Sequence, residues 1–138
     1  MKAAVFYECN APLIVEEIQI DAPKRTKVLV KIAASGVCHS DLSHLNGTLP
    51  LPAPPAVLGH EGAGIVEEVG ADVTGIKPGD HVILSWRSPC GRCRYCVTGR
   101  PHLCQTGGEE LRQGYLLDGT SRLHKGDIEI RHLGSRID

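Results

Sequence analysis

Four cysteines, Cys90, Cys93, Cys96 and Cys104, follow one another as C-x2-C-x2-C-x7-C in a stretch broken by Gly91, Gly99 and Pro101. Short loops of this kind can wrap four sulfurs around one ion, and four thiolates at about 2.3 Å complete a tetrahedral zinc shell with no open position. Such a closed site is structural, and it should order a lobe over residues 87–104 that has few apolar side chains of its own. Two disulfides, free thiols or an iron-sulfur cluster are the competing readings of the spacing. The opening MKAAVFYECNAPLIVEE does not read as a secretory signal, because Glu8, Glu16 and Glu17 interrupt it and no long apolar run follows. A reducing, cytoplasmic setting is therefore expected, and zinc is favoured.

Four arginines, Arg87, Arg92, Arg94 and Arg100, lie in or beside the cluster, where they can offset the net charge of four thiolates and one divalent cation. Over the whole chain 15 basic residues face 16 acidic ones, so no broad basic field invites nucleic acid or an anionic membrane.

The 138 residues suffice for one domain. Aromatic residues supply only 4%, so the core must come mainly from Val, Ile, Leu and Ala, and Val and Ile favour strands. Strands are expected at residues 3–7, 13–20, 28–34, 61–69 and 81–86, with turn residues between them. One short helix is expected within residues 38–47, with Ser40 or Asp41 near its start and Gly47 as its stop. The proline-rich run LPLPAPPAVLG that follows should be an extended loop. Gly62 and Gly64 within a strand suggest a bulge or a close backbone approach, and Lys77-Pro78-Gly79-Asp80 suits a type II turn. Beyond Cys104 the pattern predicts no amphipathic helix, and Ile128 and Ile130 could begin a further strand.

Cys38 and His60 each stand where a strand gives way to a turn, flanked by Gly36 and Gly59. By themselves they read more readily as structural side chains than as metal ligands. Their surroundings decide more. The segment G-H-E-G-A-G-I-V-E-E-V-G-A-D-V, from Gly59 to Val73, resembles the signature of zinc-containing medium-chain alcohol dehydrogenases, and G-V-C-H-S-D, the K-P-G-D turn and the four-cysteine lobe extend the resemblance nearly to Cys104.

The resemblance implies a GroES-like, mostly β fold: a partly open barrel with the zinc lobe projecting from it and few short helices. It implies a catalytic zinc held by Cys38 and His60, with a third ligand from a later segment for which this sequence offers no candidate. Ser40 would take the alcohol proton, Asp41 would orient His60 through its other ring nitrogen, and Glu61 would lie close to the metal. Read without the resemblance, Ser40 is a helix cap and Glu61 a solvated strand end. His39 would meet the pyrophosphate of NAD or NADP, or else is a surface histidine. Relatives often carry a relay histidine where this chain has Ser43, and the next residue, His44, is the possible substitute.

The activity so implied is hydride transfer between an alcohol and a nicotinamide cofactor, interconverting alcohols with aldehydes or ketones. The glycines of GHEGAG do not form a dinucleotide fingerprint, since they run G-x-x-G-x-G and lead into a strand. The Rossmann domain is thus expected outside residues 1–138, the catalytic domain is expected to be incomplete, and this stretch by itself is expected to be inactive. A stand-alone zinc-binding structural or interaction module is the alternative. A homo-oligomer is expected of the full-length enzyme, and Cys9, His81, His102, His124 and His132 are expected to be structural or surface residues.

Overall fold

The computed structural model describes residues 1–50 and 53–133. Nine strands and three short α-helices follow one another: β1 (Lys2–Phe6), β2 (Ile14–Glu17), β3 (Gln19–Ile20), β4 (Val28–Ser35), α1 (His39–Leu45), β5 (Ala56–Val57), β6 (Gly62–Val69), β7 (His81–Ile83), α2 (Arg94–Val97), α3 (Gln105–Gln113), β8 (Leu123–Lys125) and β9 (Ile128–His132). A single 3-10 turn, Pro101–Leu103, precedes α3. The expected mostly β, half-barrel architecture with a cysteine lobe is borne out.

One sheet has the order β2-β1-β5-β9-β8-β3, and a second has β4-β6-β7. The expected single strand over residues 13–20 is in fact two, because it changes partner at Ile18. β2 pairs with β1, whereas β3 pairs with β8 at the opposite edge of the sheet. One residue therefore joins both edges, which forces the six strands to curl toward closure. Ile18 is buried at this seam, its N–H donating to the Met1 carbonyl at 2.8 Å. Across the seam Lys125 donates to Glu16, which also accepts from the Tyr7 hydroxyl.

Inside the curl Val5, Ile18 and Ile130 pack together, with Ala3, Val57 and Leu123 against them. Each fully buried aliphatic side chain contributes on the order of 1.5–3 kcal/mol relative to exposure. The second sheet is antiparallel and irregular, with register shifts between Leu29 and Val30 and between Ile32 and Ala34. Gly64 permits this close pairing, since a Cβ there would lie 2.2 Å from the Lys31 carbonyl oxygen. The turn before β7 holds Gly79 at φ +93°, as the third position of a type II turn requires. The two sheets face one another across an open cavity of about 700 Å³.

Three further expectations need correction. The proline-rich run is not wholly loop, because Ala56 and Val57 form β5 between β1 and β9; its residues 51 and 52 lie outside the described residues. The strand expected over 81–86 ends at Ile83. Beyond Cys104 a helix does form, α3, whose first turn contains Gly107 and Gly108. These glycines permit close packing, because a Cβ on Gly107 would fall 2.1 Å from the Ser88 carbonyl oxygen. The strand begun at Ile128 is present, but it pairs with an unforeseen one, β8. Residues 134–138, where the domain was expected to be unfinished, lie outside the described residues.

Candidate metal centres

The lobe brings all four cysteine sulfurs within 4.8 Å of one another. Cys93 Sγ lies 3.6 Å from Cys96 Sγ and 3.9 Å from Cys104 Sγ. A tetrahedron with Zn–S of about 2.3 Å has edges of about 3.8 Å, whereas a disulfide needs about 2.05 Å. The separations are those of a zinc-binding cysteine cluster.

Backbone amides converge on the sulfurs: Cys90 and Gly107 donate to Cys104 Sγ, each at 3.3 Å, and Cys93 donates to Cys90 Sγ at 3.4 Å. The Arg92 amide, with the Thr106 hydroxyl and the Cys93 amide, holds the Cys90 thiol down to about 6. The amides of Cys96 and Gln105 lower Cys93, whereas burial and the neighbouring Cys93 thiol push Cys96 up to about 11. Two thiols are thus shifted toward ionisation and one away from it, as expected where thiolates crowd together and a cation is needed to hold all four. Among the described residues no guanidinium bonds a cluster sulfur. The expected electrostatic help from the arginines is therefore long-range at most.

The second group forms where β4 ends and β6 begins. Ser35 pairs with Gly62, so the residues just beyond each strand emerge side by side, and the Gly36 N–H donates to the Glu61 carbonyl at 3.1 Å. That register explains how Cys38 and His60, distant in sequence, meet. Cys38 is the N-cap of α1, two positions ahead of Ser40 and three ahead of Asp41, the residues expected near its start. Its N–H donates to Asp41 Oδ2 at 2.9 Å, which places the carboxylate in the first turn, where the helix dipole favours it.

One ligand atom each from Cys38, His60 and Glu61 lie within 4.8 Å of one another. Glu61 therefore supplies a third donor where the sequence offered only two firm ones. Its carboxylate occupies space that a side chain at position 36 would fill, because a Cβ on Gly36 would stand 2.1 Å from Glu61 Oε2.

The buried Asp41 holds Oδ1 3.4 Å from His60 Nδ1, close but without the alignment of a hydrogen bond, so this oxygen is unsatisfied. Ser40 Oγ lies 3.3 Å from the other ring nitrogen, His60 Nε2. The imidazole thus has a carboxylate on one side and a hydroxyl on the other. A metal on Nε2 would keep the ring proton on Nδ1, facing the unsatisfied oxygen, so the donor set and its surroundings fit a cation.

His39 is exposed, and its ring is within 3.4 Å of Ser43 Oγ, which also donates to the His39 carbonyl at 3.1 Å. His44 is buried, with Nδ1 unsatisfied, and among the described residues no side-chain hydrogen bond or ion pair joins it to the Cys38–His60 group. Of the residues set aside, His124 contacts Asp21 and Cys9 is exposed. No helix among the described residues is long and apolar enough to cross a membrane.

Comparison with known proteins gives one consistent result. The alcohol dehydrogenase GroES-like domain matches residues 24–126. An S-(hydroxymethyl)glutathione dehydrogenase of Saccharomyces cerevisiae is 49% identical over 134 residues, 96% of this chain and 35% of its own length. An NDMA-dependent alcohol dehydrogenase of Amycolatopsis methanolica is 48% identical over 128 residues, 93% of this chain and 34% of its own length. Among solved structures, the benzyl alcohol dehydrogenase of Acinetobacter calcoaceticus superposes with a TM-score of 0.84 at 37% identity, covering 96% of this chain and 35% of the other. The chain spans about a third of the length of these relatives. By fold, cysteine cluster and sequence it belongs to the alcohol dehydrogenase GroES-like domain family.

Proposed function

We propose that this chain is the metal-binding part of a zinc-dependent alcohol dehydrogenase, which interconverts alcohols with aldehydes or ketones using NAD or NADP. The observation that carries the reading is the convergence of Cys38, His60 and Glu61 beside Ser40 and Asp41. A mixed sulfur, nitrogen and oxygen set with room for a further ligand is the pattern of catalytic zinc, in contrast to the closed four-sulfur cluster.

Zinc held there would supply the Lewis acidity that lowers the pKa of an alcohol hydroxyl and polarises a carbonyl. The remaining work falls to side chains. Asp41, facing His60 Nδ1, would favour the Nδ1–H tautomer once a metal occupied Nε2, and through the Cys38 amide it holds the start of α1 that carries the thiol. Ser40 Oγ, beside His60 Nε2, is placed to accept the alcohol proton while passing its own hydroxyl proton on to solvent, and to run the same relay in reverse toward a carbonyl oxygen. Glu61 brings negative charge to the metal and shares the task of holding it.

Among the described residues no helix opens on a G-x-G-x-x-G turn, and the dinucleotide fold is assigned to the two thirds of the relatives' length that this chain does not span. His39, exposed on the first turn of α1, is assigned to the cofactor phosphates. Residues 1–138 alone are expected to bind metal without turnover.

Zinc content tests this reading. Two ions per chain are expected, falling to one in Cys38→Ser and, separately, to one in Cys93→Ser. A single ion that Cys93→Ser removes and Cys38→Ser leaves would instead favour a structural zinc module. In the whole protein, alcohol-dependent reduction of NAD or NADP should vanish in His60→Ala while the cluster zinc remains; unchanged turnover would overturn the assignment.

A further inference from the structure

The cysteine lobe carries a charge imbalance that the metal does not absorb. Residues 87–104 contain four arginines and no Asp or Glu. Four thiolates and one divalent cation leave two negative charges, so the lobe keeps a positive excess. The sulfurs take their hydrogen bonds from backbone amides and neighbouring side chains other than arginine. Arg87 is committed elsewhere, stacked over the Trp86 ring at 4.9 Å and donating to the His102 carbonyl.

Arg94 and Arg100 are not committed. Together with Tyr95 and Thr98 they line a cavity of about 290 Å³. Neither guanidinium has an acidic or hydrogen-bonded partner among the described residues, and neither does the Tyr95 hydroxyl. The Thr98 hydroxyl is turned inward, donating to the Arg94 carbonyl at 2.8 Å.

The backbone holds the two arginines in place. At the end of α2, Thr98 N donates to the Arg94 carbonyl, Gly99 N to that of Cys96 and Arg100 N to that of Tyr95, the last at 2.8 Å. This folded-back turn brings Arg100 against Tyr95, and Cys93 and Cys96 anchor α2 to the cluster. A concave site whose free polar groups are two guanidiniums and a phenol, all donors and with no carboxylate among its lining residues, is complementary to an anion with several acceptor oxygens. Its volume is near the lower end of ligand pockets, about 300–1,000 Å³, which suits a small molecule rather than a dinucleotide.

We propose that this pocket on the outside of the zinc lobe binds a small oxyanion, a phosphate or carboxylate group, separately from the Cys38–His60 centre. The assignment does not depend on the enzymatic reading. Its source is distinguished by titrating the zinc-loaded chain with inorganic phosphate and with acetate, each against chloride at constant ionic strength, while following backbone amide resonances. Saturable shifts at Arg94, Tyr95, Thr98 and Arg100 are expected with at least one of the two anions, and the one that saturates identifies the group recognised.

Arg94→Gln combined with Arg100→Gln should weaken that binding at least tenfold and retain the cluster zinc, which shows that the lobe is still folded. Arg112→Gln, which removes a guanidinium that contacts Glu109 elsewhere, should leave it unchanged. Shifts that never saturate, that chloride reproduces, or that persist undiminished in the double variant would overturn the proposal.

Discussion

Cys104 Sγ accepts the Gly107 N–H at 3.3 Å, so one sulfur of the metal cluster is at the same time the N-terminal cap of α3. A nine-residue helix with two glycines in its first turn has little stability of its own. Its order should therefore depend on the metal. Chelation of zinc is expected to lose amide protection across α3 while β1 and β6 stay protected, as read by hydrogen exchange. Cys104→Ala, which removes ligand and cap together, should do the same even with zinc in excess. Equal protection of α3 with and without metal would refute the coupling.

Gly36 and Gly64 make opposite predictions from similar clashes. A Cβ at Gly36 would meet Glu61 Oε2, the movable end of a side chain, at 2.1 Å. Gly36→Ala should therefore change folding stability little but displace the carboxylate, weakening metal binding at the Cys38–His60–Glu61 group about tenfold. At Gly64 the Cβ would meet backbone, the Lys31 oxygen at 2.2 Å. Gly64→Ala should cost about 1–3 kcal/mol, the usual range for overpacking. Denaturant unfolding and competitive metal titration of both variants separate the two effects.

The parts that were legible in sequence are those whose signal is local. The cluster spacing announced its own geometry, because three of its sulfurs come from one short loop. Gly64 announced a close approach, and Gly79 its turn. The group at Cys38 was visible only through the resemblance, since the register that pairs Ser35 with Gly62 is a tertiary fact. Glu61 as a third donor depends on the same register. Helix α3 was hidden because its cap is a cysteine rather than Ser, Thr, Asp or Asn, and because Gly107 and Gly108 look like a turn yet serve packing against Ser88 and Arg87. The break at Ile18 leaves no mark in the strand-like run over residues 13–20, because the change of partner depends on where β8 arrives.

Asp41 links the two proposed metal ligands, accepting from the Cys38 amide with one oxygen and facing His60 Nδ1 with the other. Asp41→Asn could keep the first contact, but its amide N–H groups would then oppose the Nδ1 proton of a metal-bound imidazole. Metal affinity at this group should fall by about 10–100-fold, the usual effect of losing such a partner, with the four-cysteine cluster unaffected. Competitive titration with cobalt, whose absorption distinguishes one thiolate ligand from four, reports each group separately. An unchanged affinity would mean that Asp41 serves only as part of the cap of α1.

The seam of the curled sheet should be sensitive to pH at both ends of the scale. Hydrogen bonds from Lys125 and Tyr7 hold the Glu16 carboxyl below its ordinary value of 4.5. A lowered folded-state value means that the unfolded chain binds the proton more readily. The stabilisation is then complete above about pH 4.5 and disappears as pH falls through the folded value. For Lys125, raised above 10.5 by Glu16, and Tyr7, raised above 10.0 by the same carboxylate, the sign reverses: their contribution is full below those values and is lost as pH rises through the folded ones. Urea midpoints measured from acid to alkaline pH should therefore fall toward both extremes. Glu16→Gln should flatten both slopes relative to the parent protein, because that carboxylate is the partner common to both. Lys125→Met, which leaves the Tyr7 contact in place, should flatten them only in part. If Glu16→Gln shifts the whole profile downward and leaves its slopes unchanged, the contacts at the seam act through packing and not through charge.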